Sequence, residues 1–149
     1  MEESFRLKKE TTEKPPVLFH GSVTIGIKEL EPRRRFVPEK SEGMPGAIYA
    51  GDLPAFAAAH AFPWESKEGF ELSVEAGQVV FRVPEQFRER LMVPISIYSL
   101  SSDTFEKTAG EGTGHTYHTT QKTVPIETEE FPSVEEAIVA KGGRVEFFK

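Results

Sequence analysis

Two short apolar runs limit what this chain can build. The first is Val17-Leu18-Phe19-His20-Gly21-Ser22 and the second is Ala47-Ile48-Tyr49-Ala50-Gly51-Asp52. Val17 to His20 and Ala47 to Ala50 have the length of buried strands rather than helices. Each presents one polar-capable ring, His20 or Tyr49, followed by a small residue, Gly21 or Ala50, that leaves space for a ligand. The second run leads directly into Leu53-Pro54-Ala55-Phe56-Ala57-Ala58-Ala59-His60. Asp52 stands at the expected N-cap, Pro54 in the first turn, and Ala55 to Ala61 is helical by composition until Pro63 ends it. This helix is apolar nearly all round, so burial is expected, with His60 as a packed histidine rather than a catalytic one.

The totals bound the rest. A chain of 149 residues supports one core-bearing domain, and 12 phenylalanines within an 11% aromatic content make it globular rather than disordered. A net charge of -6 argues against sequence-independent nucleic-acid binding, in which Lys and Arg neutralise phosphates. With no cysteine there is no disulfide, thiolate nucleophile or Cys-zinc site. Met1 to Lys14 is charged and lacks the apolar core of a signal peptide. No apolar run approaches the roughly 20 residues of a membrane-spanning helix. The expectation is a soluble, cytoplasmic protein without a membrane partner.

Residues 1–16, closing on Pro15-Pro16, hold too little apolar surface to offset ordering and are expected to form a flexible leader, with residues 17–149 as the domain. Thr24 to Arg35 reads as a loop with one helical turn. Its Arg33-Arg34-Arg35 run is a solvated surface by default, with an anion site as the functional reading. Residues 36–46, with two prolines and two glycines, read as a mobile loop. After Trp64, strands are expected at Glu71 to Val74, Gln78 to Val83 and Val93 to Leu100, with a turn at Ala76-Gly77 and a brief helix from Pro84 to Leu91. Pro94 marks an edge or a strand start. Ser101 to Lys107 reads as a polar loop or helical turn, and Gly110 to Gly114 as a flexible connector rather than a mobile loop over a site. His115 to Val124 alternates like a half-exposed strand. Ser133 and Glu136 form a capping-box pattern ahead of Ala137, Ile138 and Ala140, with Lys141 in the last turn and Gly142 at the stop. Arg144 to Phe148 is a final strand. Short strands with a few short helices make an α+β domain.

Little here supports nucleophilic hydrolysis, since neither a Gly-x-Ser-x-Gly elbow nor a cysteine is present. The glycines at 110–114 are no P-loop, because no Lys-Ser/Thr pair follows. His115-x-x-His118 has a spacing that zinc can use on a turn, but in a strand residues three apart face opposite sides.

The motifs Leu18-Phe19-His20-Gly21-Ser22 and Ile48-Tyr49-Ala50, the latter with an Ala-rich helix behind it, resemble the ADP-ribosyltransferase-like superfamily. The likeness is to its histidine–tyrosine–glutamate branch, and to small bacterial members in particular. A Ser-Asp-Thr-Phe turn at Ser102 to Phe105 and the Val124-Pro125 segment extend the likeness over most of residues 17–149. The resemblance implies a split, mostly antiparallel sheet and an NAD or nucleotide cleft. His20 would bond the adenine-side ribose, the Gly21 backbone would meet the nicotinamide carboxamide, and the Tyr49 ring would stack on nicotinamide. Ser22 and Ala50 complete the expected binding set. The implied reaction is loss of nicotinamide through an oxocarbenium-like ribose stabilised by a carboxylate, then transfer to an acceptor the sequence does not name. The chain departs from the pattern at the third motif, where Thr116 stands in place of the expected glutamate. Glu111, in the glycine-rich loop, is the nearest upstream carboxylate and the candidate catalytic residue. Glu127 and Glu129 read as solvent-facing. The alternatives are a nucleotide-binding or interaction module that has lost the acid, and an NAD-consuming RNA 2′-phosphotransferase relative. The latter chemistry needs several arginines, which only Arg33 to Arg35 offer.

Overall fold

The computed structural model describes residues 14–32, 46–108 and 115–149. Nine strands are described: β1 (Val17–Ser22), β2 (Ile48–Gly51), β3 (Glu71–Glu75), β4 (Gln78–Pro84), β5 (Ile95–Ser101), β6 (Glu106–Lys107), β7 (Thr116–Thr119), β8 (Glu127–Phe131) and β9 (Arg144–Phe148). Two α-helices accompany them, α1 (Pro54–Ala59) and α2 (Val134–Ala140), with 3-10 segments at Ser66–Glu68 and Glu85–Leu91. A six-stranded antiparallel sheet runs β6-β7-β2-β1-β5-β8, and a three-stranded sheet runs β3-β4-β9 with β4 and β9 parallel. The chain is α+β, with mostly antiparallel sheets and short helices.

Alternation along the strands gives the large sheet two different faces. Phe19, Ile95, Ile97 and Phe131 point toward the small sheet, whose Leu72, Val74, Val79, Phe81, Val83, Val145 and Phe147 point back. Helices α1 and α2 lie within this inner core. Leu18, Ile48, Ala50, Tyr98, Leu100 and Tyr117 belong to an outer core on the opposite face, closed by Ile27, Leu30 and Phe105.

Helix α1 is the wedge between the sheets. Ala55 to Ala59 are all buried, and small side chains let the helix approach β1 closely. A Cβ on Gly21 would lie 2.1 Å from the Ala57 carbonyl oxygen, and one on Gly51 would lie 2.8 Å from the Phe56 ring. The helix begins without the expected cap: Leu53 holds the N-cap position with no side-chain bond, and Asp52 is engaged elsewhere. It ends at His60, which is exposed rather than packed inside. The His60 ring sits edge-on to Phe56 at 4.7 Å and stacks on Trp64 at 5.5 Å.

Several elements differ from the sequence reading. No helical turn lies in the described part of residues 24–32; Leu30 instead bridges Thr123. The segment after Leu100 is not simply a polar loop, since Phe105 plugs the outer core and Glu106–Lys107 pairs with β7. Glu127–Phe131, to which the sequence reading gave no element, is a strand at the sheet edge; Glu127 is exposed as expected, while the Glu129 carboxylate meets Lys141 at the end of α2. Strand β5 begins after Pro94 and is central, between β1 and β8. This fits proline's missing donor.

Candidate functional site

Strands β7, β2 and β1 are adjacent, so the segments bearing Thr116, Tyr49 and His20 lie side by side. Strand β1 pairs with β5 along its whole length, Val17↔Ser101 to Ser22↔Ser96. Toward β2 it is registered only at Phe19↔Gly51 among the described residues, and the two strands part beyond that point. Across this parting the His20 imidazole reaches the backbone of β2, with Nδ1 2.6 Å from the Tyr49 carbonyl oxygen. A carbonyl can only accept, so Nδ1 carries the proton and Nε2 of the neutral ring is a lone-pair acceptor. Burial pulls the His20 pKa below its usual 6.5 and outweighs the opposing pull of the carbonyl, so the ring is neutral at pH 7.

The two signature rings do not meet. His20 shares a face with Leu18, and its ring lies 6.4 Å from that of Tyr98, on the outer-core side. Tyr49 alternates with Ile48 and Ala50 and therefore faces the helix-bearing side, 6.2 Å from the His118 ring. The two small residues do not leave free space: the room at Gly21 is filled by the α1 backbone, and Ala50 is packed in the outer core. Ser22 accepts the Thr24 N–H at 3.0 Å. Glu111 and Arg33 to Arg35 lie outside the described residues.

The expected third-motif position is in register with β2, Thr116 opposite Gly51 and His118 opposite Tyr49. His115 and His118 turn to different partners. His118 Nδ1 lies 2.9 Å from the Thr108 hydroxyl, while His115 Nδ1 lies 2.7 Å from the Asp52 carboxylate. The Asp52 N–H donates back to the His115 carbonyl oxygen, closing the end of the β2–β7 pair. Burial, and after it the Asp52 charge, hold the Tyr117 hydroxyl above its usual pKa. Sequence reasoning missed the Asp52–His115 pair, because the partners are 63 residues apart and Asp52 fitted an N-cap.

An open groove of about 750 Å³ lies on the small sheet, lined by Ser66, Phe70, Glu71, Ser73, Arg82 and Phe148 among others. Its Arg82 already binds Glu75 and Glu146, at 2.9 and 3.0 Å, and none of the sequence-predicted site residues lines it. No described helix is long and apolar enough to cross a membrane. Comparison of the chain with protein-family models, with curated proteins and with solved structures gives no match.

Proposed function

We propose that this chain is an ADP-ribosyltransferase-like protein that binds NAD or a related nucleotide at the parting of β1 and β2, and that it binds without appreciable transfer. The observation that carries the reading is the His20–Tyr49 junction. The strands bearing the first two motifs separate at this point, and a neutral histidine is fixed there with its acceptor nitrogen available to a sugar hydroxyl. The adjacency of β1, β2 and β7 agrees with the order in which the three motifs would be used. Slow or absent transfer follows from chemistry. Thr116, in register with β2, cannot supply the negative charge that a cationic sugar needs, and the carboxylate that follows β2, Asp52, is bound to His115.

Isothermal titration with NAD tests the reading. Heat of binding is expected for the wild type and its loss for His20→Ala; equal, negligible heats from both would end the nucleotide reading. Nicotinamide release on prolonged incubation should stay at the no-enzyme background, and Glu111→Gln should leave it unchanged. Release by the wild type that Glu111→Gln abolishes would instead make Glu111 the catalytic acid and the chain a working transferase.

A further inference from the structure

Ser96 is completely buried, and its hydroxyl has no hydrogen-bond partner among the described residues. Closing off a hydroxyl without a partner is costly, so an orphan in a native core calls for a reason. Its position supplies one. On the outer face of the large sheet, Ser22 of β1 stands opposite Ser96 of β5, and in the next row His20 stands opposite Tyr98. The other hydroxyls of this group are engaged. Tyr98 donates to the Thr24 carbonyl at 2.7 Å and accepts from the Ile27 N–H at 3.1 Å, and Ser22 accepts from Thr24. What remains open among the described residues is His20 Nε2, which can only accept, and Ser96 Oγ, which can donate. His20 and Ser96 are diagonal neighbours on adjacent strands, about 7–8 Å apart at the backbone, a gap that two side chains and one oxygen between them can span.

We infer that Ser96 is a second anchor beside His20, and that the group it holds is a sugar hydroxyl of the bound nucleotide. That hydroxyl donates to His20 Nε2 and accepts from Ser96 Oγ. A hydroxyl meets both demands at once, whereas a carboxylate or phosphate oxygen, lacking a proton, cannot serve Nε2 of the neutral ring. Because Ser96 is shut off from solvent, a ligand reaches it with a local shift of what covers this face. The segment from Val23 to Ile27 is held there by the Tyr98 hydroxyl and has two exposed apolar residues, Val23 and Ile25.

This inference rests on the nucleotide reading, and one set of measurements separates the two. Wild type, His20→Ala and Ser96→Ala are titrated with NAD, and the thermal midpoint of each ligand-free chain is recorded. Ser96→Ala is expected to weaken NAD about 3- to 10-fold, the worth of one neutral hydrogen bond. The ligand-free variant should melt at or above the wild-type midpoint, because no internal bond is lost. If His20→Ala loses NAD while Ser96→Ala binds as tightly as wild type, the nucleotide site stands and the role of Ser96 falls. If the free Ser96→Ala chain melts several degrees lower, its hydroxyl is satisfied internally, by a trapped water for example, and the inference also falls. No binding by wild type overturns both.

Discussion

Gly21 and His20 are adjacent in one motif yet do different physical work. Gly21 is where α1 touches the sheet. Its missing side chain admits the Ala57 carbonyl, and this neighbour is backbone, which cannot swing away. Gly21→Ala should therefore cost about 2 kcal/mol or more in urea unfolding, the range expected for overpacking a tight core. Gly51→Ala should cost less, since its closest neighbour is the Phe56 side chain. Equal stabilities of wild type and Gly21→Ala would refute the close approach. His20 makes stability depend on pH. Its folded pKa lies below the unfolded 6.5, so around and below that value the unfolded chain binds a proton that the folded chain resists. The contribution is complete above pH 6.5 and is lost as pH falls toward the folded pKa. Urea midpoints of the wild type should drop between pH 7 and 5 more steeply than those of His20→Asn, which keeps a donor for the Tyr49 carbonyl but does not titrate. Parallel slopes would assign the pH dependence to other groups.

At the scale of elements, legibility followed how local the cause was. The C-terminal unit was the most readable. The Ser133 hydroxyl accepts the Glu136 N–H at 3.1 Å, Ala137 and Ile138 are buried with Val134 rather than the expected Ala140, which is exposed, and Gly142 closes the helix at φ 87°. Each of these depends on residues within a turn of one another. The Ala76-Gly77 turn was equally clear, with φ values of 51° and 81° between β3 and β4. What escaped was decided by distant partners. Glu127–Phe131 has poor strand propensity and is a strand because β5 offers an edge. Asp52 looked like a cap and is a partner of His115, and His60 looked buried because the helix around it is. The candidate site was legible to the same degree: its motifs lie on the two strands of the β1/β2 junction, but the facing of the two rings and the orphan Ser96 depend on register across strands. Cap energetics give the check at this scale. Ser133→Ala should lower stability by about 1 kcal/mol, and Ser133→Asp should restore most of it. A loss in Ser133→Ala that Ser133→Asp fails to recover would mean the hydroxyl does something other than cap.

For the molecule as a whole, the question is whether two cores make one cooperative unit. The inner core joins the two sheets through α1, α2 and an aromatic cluster in which Trp64 lies 5.2 Å from Phe81 and 5.6 Å from Phe70. Among the described residues the outer core touches only the large sheet, yet the strands that floor it are those whose other face floors the inner core, so neither can lose its sheet alone. The chain carries its own reporters. Its one tryptophan packs against the small sheet, while its three tyrosines, Tyr49, Tyr98 and Tyr117, all sit on the large one. Phe81→Ala removes a fully buried ring from the inner core at an expected cost of about 3–5 kcal/mol. If the sheets unfold together, the Trp64 fluorescence midpoint and the tyrosine near-UV dichroism midpoint should coincide in the wild type. Both should then fall by the same amount in Phe81→Ala. A tryptophan transition that moves while the tyrosine transition stays would mean that the small sheet detaches on its own, leaving the β1/β2 junction standing without its wedge. Since α1 packs on Gly21 from the inner side, the proposed nucleotide binding should then weaken with the tryptophan signal rather than the tyrosine one. Titrating NAD at a urea concentration between the two midpoints would reveal which core the site depends on.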